Sequence, residues 1–309
     1  VELLETLSSK GEIDKEIYAV KRLAAGNDDE AELGLHFDLT VPFARYVAMH
    51  FNELIFPFKR YQLQKVWRGE RPQKGRFREF YQFDIDIVSR DELPLCADAE
   101  VVTVLAKALV ALRIGTPQVE LNNRKLLLGY FSGLGVSDEI AKQVVSIVDK
   151  IDKIGESEAA RLIDELSLAA TTRDKILEFA ATTAPVHELG ATLKKFSLDS
   201  SLAEEGAEEL LTVASLIPKS MQEHVVARFQ IARGLDYYTG TIVESKIAEF
   251  PEFGSVGSGG RYQDLVSKYL SRKVPGVGIS IGLTRLMDLI LREQLLPLPR
   301  LSSAQILVT

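Results

Sequence analysis

A chain of 309 residues, 46% of them apolar and 26% charged, has the make-up of a folded globular protein, long enough for two domains or for one large domain carrying an insertion, which excludes a disordered polypeptide. The net charge of −7 excludes a generic polyanion binder, because non-specific nucleic-acid affinity rests on clustered lysine and arginine. The single cysteine, Cys96, excludes an internal disulfide and argues against structural zinc; with no apolar run of about 18 residues and with Glu2 and Glu5 where a signal peptide carries a basic flank, a cytoplasmic, membrane-free protein is expected.

In chain order, Thr40 and Pro42 mark the start of a helix whose apolar positions then repeat at helical spacing. Tyr61 to Arg68 and Phe77 to Val88 are rich in aromatic and β-branched residues and predict a long hairpin, its loop carrying Gly69, Pro72 and Gly75. Lys59, Arg60, Lys65, Arg68, Arg71, Lys74, Arg76 and Arg78 crowd this hairpin, with Glu70 the one acid between Lys59 and Arg78, so a phosphate-rich ligand or a nucleic-acid end suits it. Strand alternation puts Phe77, Tyr81, Phe83, Ile85 and Ile87 on one face and Arg78, Gln82, Asp84 and Asp86 on the other. That second face is either a ligand site or a solvated sheet surface.

From Asp98 to Arg113 an apolar stripe predicts an amphipathic helix capped near Gly115. Strand signals then fade, and helical stretches running to about Ile217 predict a separate helical module over 116–225, between a first sheet region (1–115) and a second (226–300). Sheet character returns after Phe229, GSVGSGGRY supplies glycines for close backbone approach, and VPGVGISIGLTRLMDLI predicts a buried strand leading into a helix near Gly282.

The common nucleotide and metalloprotease signatures GxxxxGK[ST], GxGxxG and HExxH do not occur. His36, His50, His187 and His224 lack metal-ligand spacing, so no metal site is expected. Arg68 and Arg285 sit beside strand-forming sequence, where a guanidinium suits phosphate or a planar ring, and Arg233 lies in a context too apolar for a casual charge.

Taken together, VWRGERPQKGRFREFYQFDID (66–86), ARGLDYYTG (232–240), GSGGRY and GVGISIGLTRL (276–286) resemble the histidyl-tRNA synthetases, a class II aminoacyl-tRNA synthetase family. They match, in turn, the motif 2 hairpin, the histidine signature, its glycine-rich companion and motif 3. The second is the specific one; motifs 2 and 3 alone indicate only the class. The chain opens on the tail of motif 1, and 301–309 resembles the first strand of an anticodon-binding domain.

The resemblance implies an α+β fold, an antiparallel sheet flanked by helices with a helical insertion, and a ligase that joins L-histidine to its tRNA through histidyl-adenylate. Implied partners are ATP with Mg2+, histidine, histidine tRNA and, for the longer protein, a second copy in a homodimer. Carried over residue by residue, Arg68 binds the α-phosphate, Glu70 accepts from the adenine amino group, and Phe77 and Arg285 sandwich the ring, with Arg76 and Arg78 nearby. Arg233 stabilises charge in the transition state. Asp38, Thr40, Gln82, Asp86, Tyr237, Tyr238 and Tyr262, with Arg233, form the histidine pocket, and Arg71 and Gln73 approach the tRNA acceptor end. The rival expectation is a synthetase-like regulatory subunit of histidine biosynthesis that keeps the fold without the chemistry.

Overall fold

The computed structural model of the chain describes residues 1–8, 14–24, 26, 30–71, 74–232, 238–267 and 269–297. It opens with β1 (Glu2–Leu3), the helical turn α1 (Leu4–Leu7), β2 (Ala19–Val20) and β3 (Leu33–Gly34), which pair as a small sheet with β3 in the middle. Next come α2 (Thr40–Met49), β4 (Phe58–Trp67), β5 (Glu79–Val88), α3 (Cys96–Leu112) and β6 (Pro117–Asn123). The middle of the chain forms α4 (Arg124–Gly133), α5 (Asp138–Val148), α6 (Ile151–Ile154), α7 (Glu156–Asp164), α8 (Ala170–Ala180), β7 (Thr183–Pro185), α9 (Leu189–Leu193), α10 (Ser201–Leu216) and α11 (Lys219–Gln222). The last part holds β8 (Val225–Arg228), β9 (Tyr238–Ile247), β10 (Gly257–Tyr262), β11 (Gly276–Gly282) and α12 (Leu283–Arg292).

Eight strands make one sheet in the order β4-β5-β11-β10-β9-β6-β8-β7, antiparallel throughout except for the parallel β6–β8 pair. The expected α+β architecture is therefore present, with that one parallel step added. The β4–β5 hairpin runs in unbroken register from Phe58↔Val88 to Trp67↔Glu79. At its root, α2 starts where Asp38 Oδ1 accepts the Val41 amide hydrogen at 3.0 Å, satisfying a donor that has no partner inside the helix. Val41, Ala44 and Val47 then bury one helical face.

On β5 the polar face is fully buried, and the apolar face is buried at Ile87, half-buried at Phe83 and Ile85 and open at Tyr81. Asp84 and Asp86 are each 1% exposed, whereas Tyr81 is 43% exposed and its neighbours on β4, Tyr61 and Leu63, are 78% and 53% exposed. A solvated polar face is thereby excluded, and the buried carboxylates need partners or a ligand.

Residues 117–123, read from sequence as the start of a helical module, instead form β6, an interior strand between β9 and β8. Only Val119 and Leu121 give an apolar signal there, while Asn122 is fully buried because its amide donates to the Phe229 and Ile231 carbonyls at 3.0 and 2.8 Å. The helices that follow share a core with the sheet: Leu126, Phe131, Val144, Phe179 and Leu210 join Val101, Leu105, Val119 and Leu121 in one cluster. Each such fully buried side chain contributes roughly 1.5–3 kcal/mol. The left-handed cap of α3 is Arg113 (φ 55), two residues before the glycine expected to serve.

Candidate active site

Register carries a row of polar side chains across one face of the sheet. Gln62 on β4 lies opposite Asp84 on β5, then Ser280 on β11, Ser258 on β10, Glu244 on β9 and Glu120 on β6. Above it opens a cavity of about 730 Å³, within the range of small-molecule sites. Ser280, Ser258, Glu244 and Glu120 line the cavity floor. Arg68, Glu70, Arg76, Phe77 and Gln82 wall it at the hairpin end, and Arg285 reaches in from α12.

Each of these arginines is held in place. The Arg68 Nε donates to the Phe37 carbonyl at 3.2 Å, with its guanidinium 4.5 Å from the Phe37 ring centre and 5.2 Å from that of Phe80. Arg76 donates to Glu70 at 3.1 Å, and Arg68 lies 4.0 Å from the other oxygen of the same carboxylate. Arg285 Nε donates to the Gly75 carbonyl at 2.7 Å and its Nη1 to the Ser255 carbonyl, so it ties the hairpin loop to the turn before β10. Such fixed guanidinium forks suit phosphate oxygens.

Beside the cavity, Asp86 anchors an enclosed polar cluster. Arg60 Nη2 stands 2.8 Å from its Oδ2, and the Tyr262 hydroxyl donates to its Oδ1 at 3.0 Å. A relay runs from Arg60 along β4: Arg60 donates to Gln62 at 2.8 Å, Gln62 to Gln64 at 2.6 Å, and Gln64 to His36 Nδ1 at 2.9 Å. Burial lowers the His36 pKa, favouring the neutral ring that can accept from Gln64. A histidyl-tRNA synthetase family model matches residues 1–286 of the chain. The chain belongs to the histidyl-tRNA synthetase family.

Among relatives, it is 47% identical over 297 residues to a histidine–tRNA ligase of Thermobifida fusca, covering 95% of this chain and 67% of that protein. It is 47% identical over 300 residues to the enzyme of Cutibacterium acnes, covering 94% of this chain and 65% of that one. The chain thus spans about two thirds of the length of the curated relatives it matches. The crystal structure of histidyl-tRNA synthetase from Nostoc sp. PCC 7120 superposes with a TM-score of 0.83 at 36% identity, over 96% of this chain and 67% of that one. A Bacillus halodurans structure described as an ATP phosphoribosyltransferase regulatory subunit/histidyl-tRNA synthetase gives 0.77 at 18% identity over 93% of this chain, a likeness of fold alone.

Of the residues the synthetase motifs designate, Arg68, Glu70, Arg76, Phe77, Gln82 and Arg285 meet around the cavity. Asp38, Thr40, Asp86 and Tyr262 are buried, and Tyr238 opens β9 opposite Tyr262. Phe77, placed by alternation on the outward face, lies on the cavity side because regular strand begins only at Glu79 and the parity is broken before it. Arg78 is exposed, its Nε reaching the Glu70 carbonyl at 3.5 Å, and Arg71 is exposed as well; neither is among the lining residues. Gln73, Arg233, Tyr237 and the segment 301–309 lie outside the described residues.

Sequence reasoning missed Arg60, and left Asp84, Glu244 and Glu120 without a role. The same alternation applied to β4 pairs Arg60, Gln62 and Gln64 on one face, a signal masked by the general basicity of the hairpin.

Proposed function

We propose that this chain activates L-histidine with ATP, forming histidyl-adenylate and pyrophosphate, and that the longer protein transfers histidine to its tRNA. The observation that carries this reading is the placing of an enclosed acidic pocket, Asp86 with Arg60 and Tyr262, beside a cavity walled by Arg68, Arg76 and Arg285, in a chain of this family. A histidine carboxylate oxygen attacks the α-phosphorus and the bond to pyrophosphate breaks, a reaction served mostly by positioning and charge stabilisation. ATP enters as its Mg2+ complex.

Arg68 binds the α-phosphate, Arg76 and Arg78 the outer phosphates, and Phe77 and Arg285 flank the adenine, whose amino group donates to Glu70. Arg233 neutralises charge that develops at phosphorus. Asp38, Thr40, Gln82, Asp86, Tyr237, Tyr238 and Tyr262 receive the amino acid, the hydrogen bonds to imidazole rejecting apolar analogues by leaving buried polar atoms unpaired. Arg71 and Gln73 approach the acceptor end of the tRNA. The helical stretch 124–217 is the insertion within the catalytic domain.

The longer protein is proposed to be a cytoplasmic homodimer. Supporting the dimer is the outward apolar face of the edge hairpin, with Tyr61, Leu63 and Tyr81 exposed. No helix among the described residues is long and apolar enough to cross a membrane.

ATP–pyrophosphate exchange on this chain, with each amino acid supplied separately, tests the reading. Exchange with histidine alone supports it. Exchange with another amino acid overturns the pocket assignment, and none with any, here and in the longer protein, favours a regulatory relative.

A further inference from the structure

The Arg60 side chain on β4 is only 9% exposed, with its guanidinium 4.4 Å from the Phe43 ring centre. Register sets Arg60, Gln62 and Gln64 opposite Asp86, Asp84 and Gln82 of β5, so a polar row on the edge strand backs the polar row of its neighbour. Arg60 Nη2 stands 2.8 Å from Asp86 Oδ2 and donates to the Leu39 carbonyl at 3.1 Å, while Nη1 donates to Gln62 at 2.8 Å. Leu39 lies between Asp38 and Thr40, both buried. The histidine reading places Asp38, Thr40 and Asp86 against the amino acid, so one guanidinium joins two walls of that pocket.

The strand holds segment 36–40 along its length. The Trp67 amide donates to the His36 carbonyl at 2.8 Å, Gln64 to His36 Nδ1 at 2.9 Å and Arg68 Nε to the Phe37 carbonyl at 3.2 Å, and Arg60 continues the seam at Leu39. The side-chain row also has a direction. A guanidinium can only donate, so Gln62 turns its oxygen to Arg60 and its amide nitrogen to Gln64, at 2.6 Å, and Gln64 in turn donates to His36. A row of that direction closes only on an acceptor at position 36, which the imidazole supplies with Nδ1 bare.

We propose that Arg60 is a positioning residue for histidine recognition: it fixes the Asp86 carboxylate and the Asp38–Thr40 wall relative to one another, and the row Gln62, Gln64, His36 keeps it in place. This rests on the histidine reading of the site. Arg60 acts through Asp86 and the Leu39 carbonyl. Hydrogen bonds to a bound ring depend on distance and angle, so a shift of about 1 Å at either wall weakens the hold on it. The phosphate side of the cavity takes Arg76 from the hairpin loop and Arg285 from α12, and is spared.

Pyrophosphate exchange on the intact chain, with histidine and ATP varied in turn, separates this from a merely structural role. Arg60→Met keeps an unbranched apolar stem against Phe43 and is expected to raise KM for histidine on the order of tenfold, with KM for ATP within about twofold of the wild type. Gln62→Leu leaves Arg60 in the chain but breaks the row, and should raise KM for histidine by about threefold to tenfold. His36→Leu should do the same. His36→Asn, whose side-chain oxygen takes the place of Nδ1, should recover most of that loss.

A rise in both KM values in Arg60→Met, or in neither, overturns the proposal. If that variant does not fold, Gln62→Leu decides: an unchanged KM for histidine there overturns it. His36→Asn no better than His36→Leu overturns it too, since the row would then end on no acceptor at position 36. Absence of histidine-dependent exchange in the wild type overturns the reading of the site itself, and the proposal with it, whereas histidine-dependent exchange that all four variants match overturns the proposal and leaves that reading standing.

Discussion

A methyl group on Gly278 would lie 2.1 Å from Asp86 Oδ1, the residue directly opposite it in the β5–β11 register. Gly276, two residues earlier on the same strand, likewise leaves room for the Tyr262 ring, which a Cβ there would approach to 2.4 Å. The GVG sequence is thus a recess in the sheet that admits the Asp86 carboxylate and the hydroxyl that donates to it. Gly278→Ala is expected to displace Asp86, cost about 1–3 kcal/mol of stability and raise KM for histidine on the order of tenfold, with KM for ATP little changed. Steady-state pyrophosphate exchange with each substrate varied checks the split; equal effects on both would place Asp86 outside the amino-acid pocket.

Arg285 holds the hairpin loop through the Gly75 carbonyl and the next turn through the Ser255 carbonyl. Arg285→Ala removes both charge-assisted bonds, each worth about 1.5–3 kcal/mol where well formed. The expected outcome is a rise in KM for ATP on the order of tenfold to a hundredfold, with histidine binding by calorimetry retained. Unchanged ATP affinity would show that the loop is held by other means.

The Arg261–Asp98 pair joins β10 to α3 away from the cavity, with Asp98 fully buried and Arg261 Nε donating to its Oδ1 at 3.0 Å. Arg261→Met leaves a buried carboxylate without its cation, a loss of about 3–5 kcal/mol. Denaturant unfolding of the variant measures it, and replacing both partners by apolar residues should recover much of the loss.

Stability should depend on pH through Asp84. Its pKa in the folded chain is raised to about 7 from the ordinary 3.8, so between those values the folded state binds a proton that the unfolded state does not. The contribution is therefore fully present below pH 4 and is lost as pH rises through 7, with a total on the order of a few kcal/mol. Asp84→Asn removes this dependence, so its melting temperature should exceed that of the wild type at pH 8 by more than at pH 5. A difference independent of pH would show that Asp84 does not titrate in this range.

The proposed function gives Arg233 a part in the transition state and none in the ground state. Arg233→Ala should lower kcat for adenylate formation by a factor of about 100 or more with ATP binding preserved. Single-turnover rates with saturating substrates decide it, and an undiminished rate would remove Arg233 from the mechanism.

The start of α2, the long hairpin, α3, the strand-to-helix step near Gly282 and the parity of β5 were legible in the sequence, because side-chain alternation and amphipathic spacing are local properties. So was the family, carried by ARGLDYYTG beside motifs 2 and 3. Three local inferences failed: Phe77 lies just beyond the regular strand, where parity no longer holds, β6 has too few apolar positions to announce itself, and α3 is capped by Arg113 and not at Gly115.

What the sequence determined by itself is which residues share a face and which chemistry they bring: Gln82, Asp84 and Asp86 together on β5, and arginines around the hairpin. How deeply each face is covered was decided only by tertiary structure, since alternation sets the parity of a strand and not what packs on it, and here the polar face is buried along Gln82, Asp84 and Asp86 while the apolar face opens at Tyr81. The same holds for the partners. Arg60 meets Asp86 from β4, Tyr262 meets it from β10, and Gly278 makes room for it from β11. Those contacts depend on the register of strands distant in sequence, which no single segment encodes.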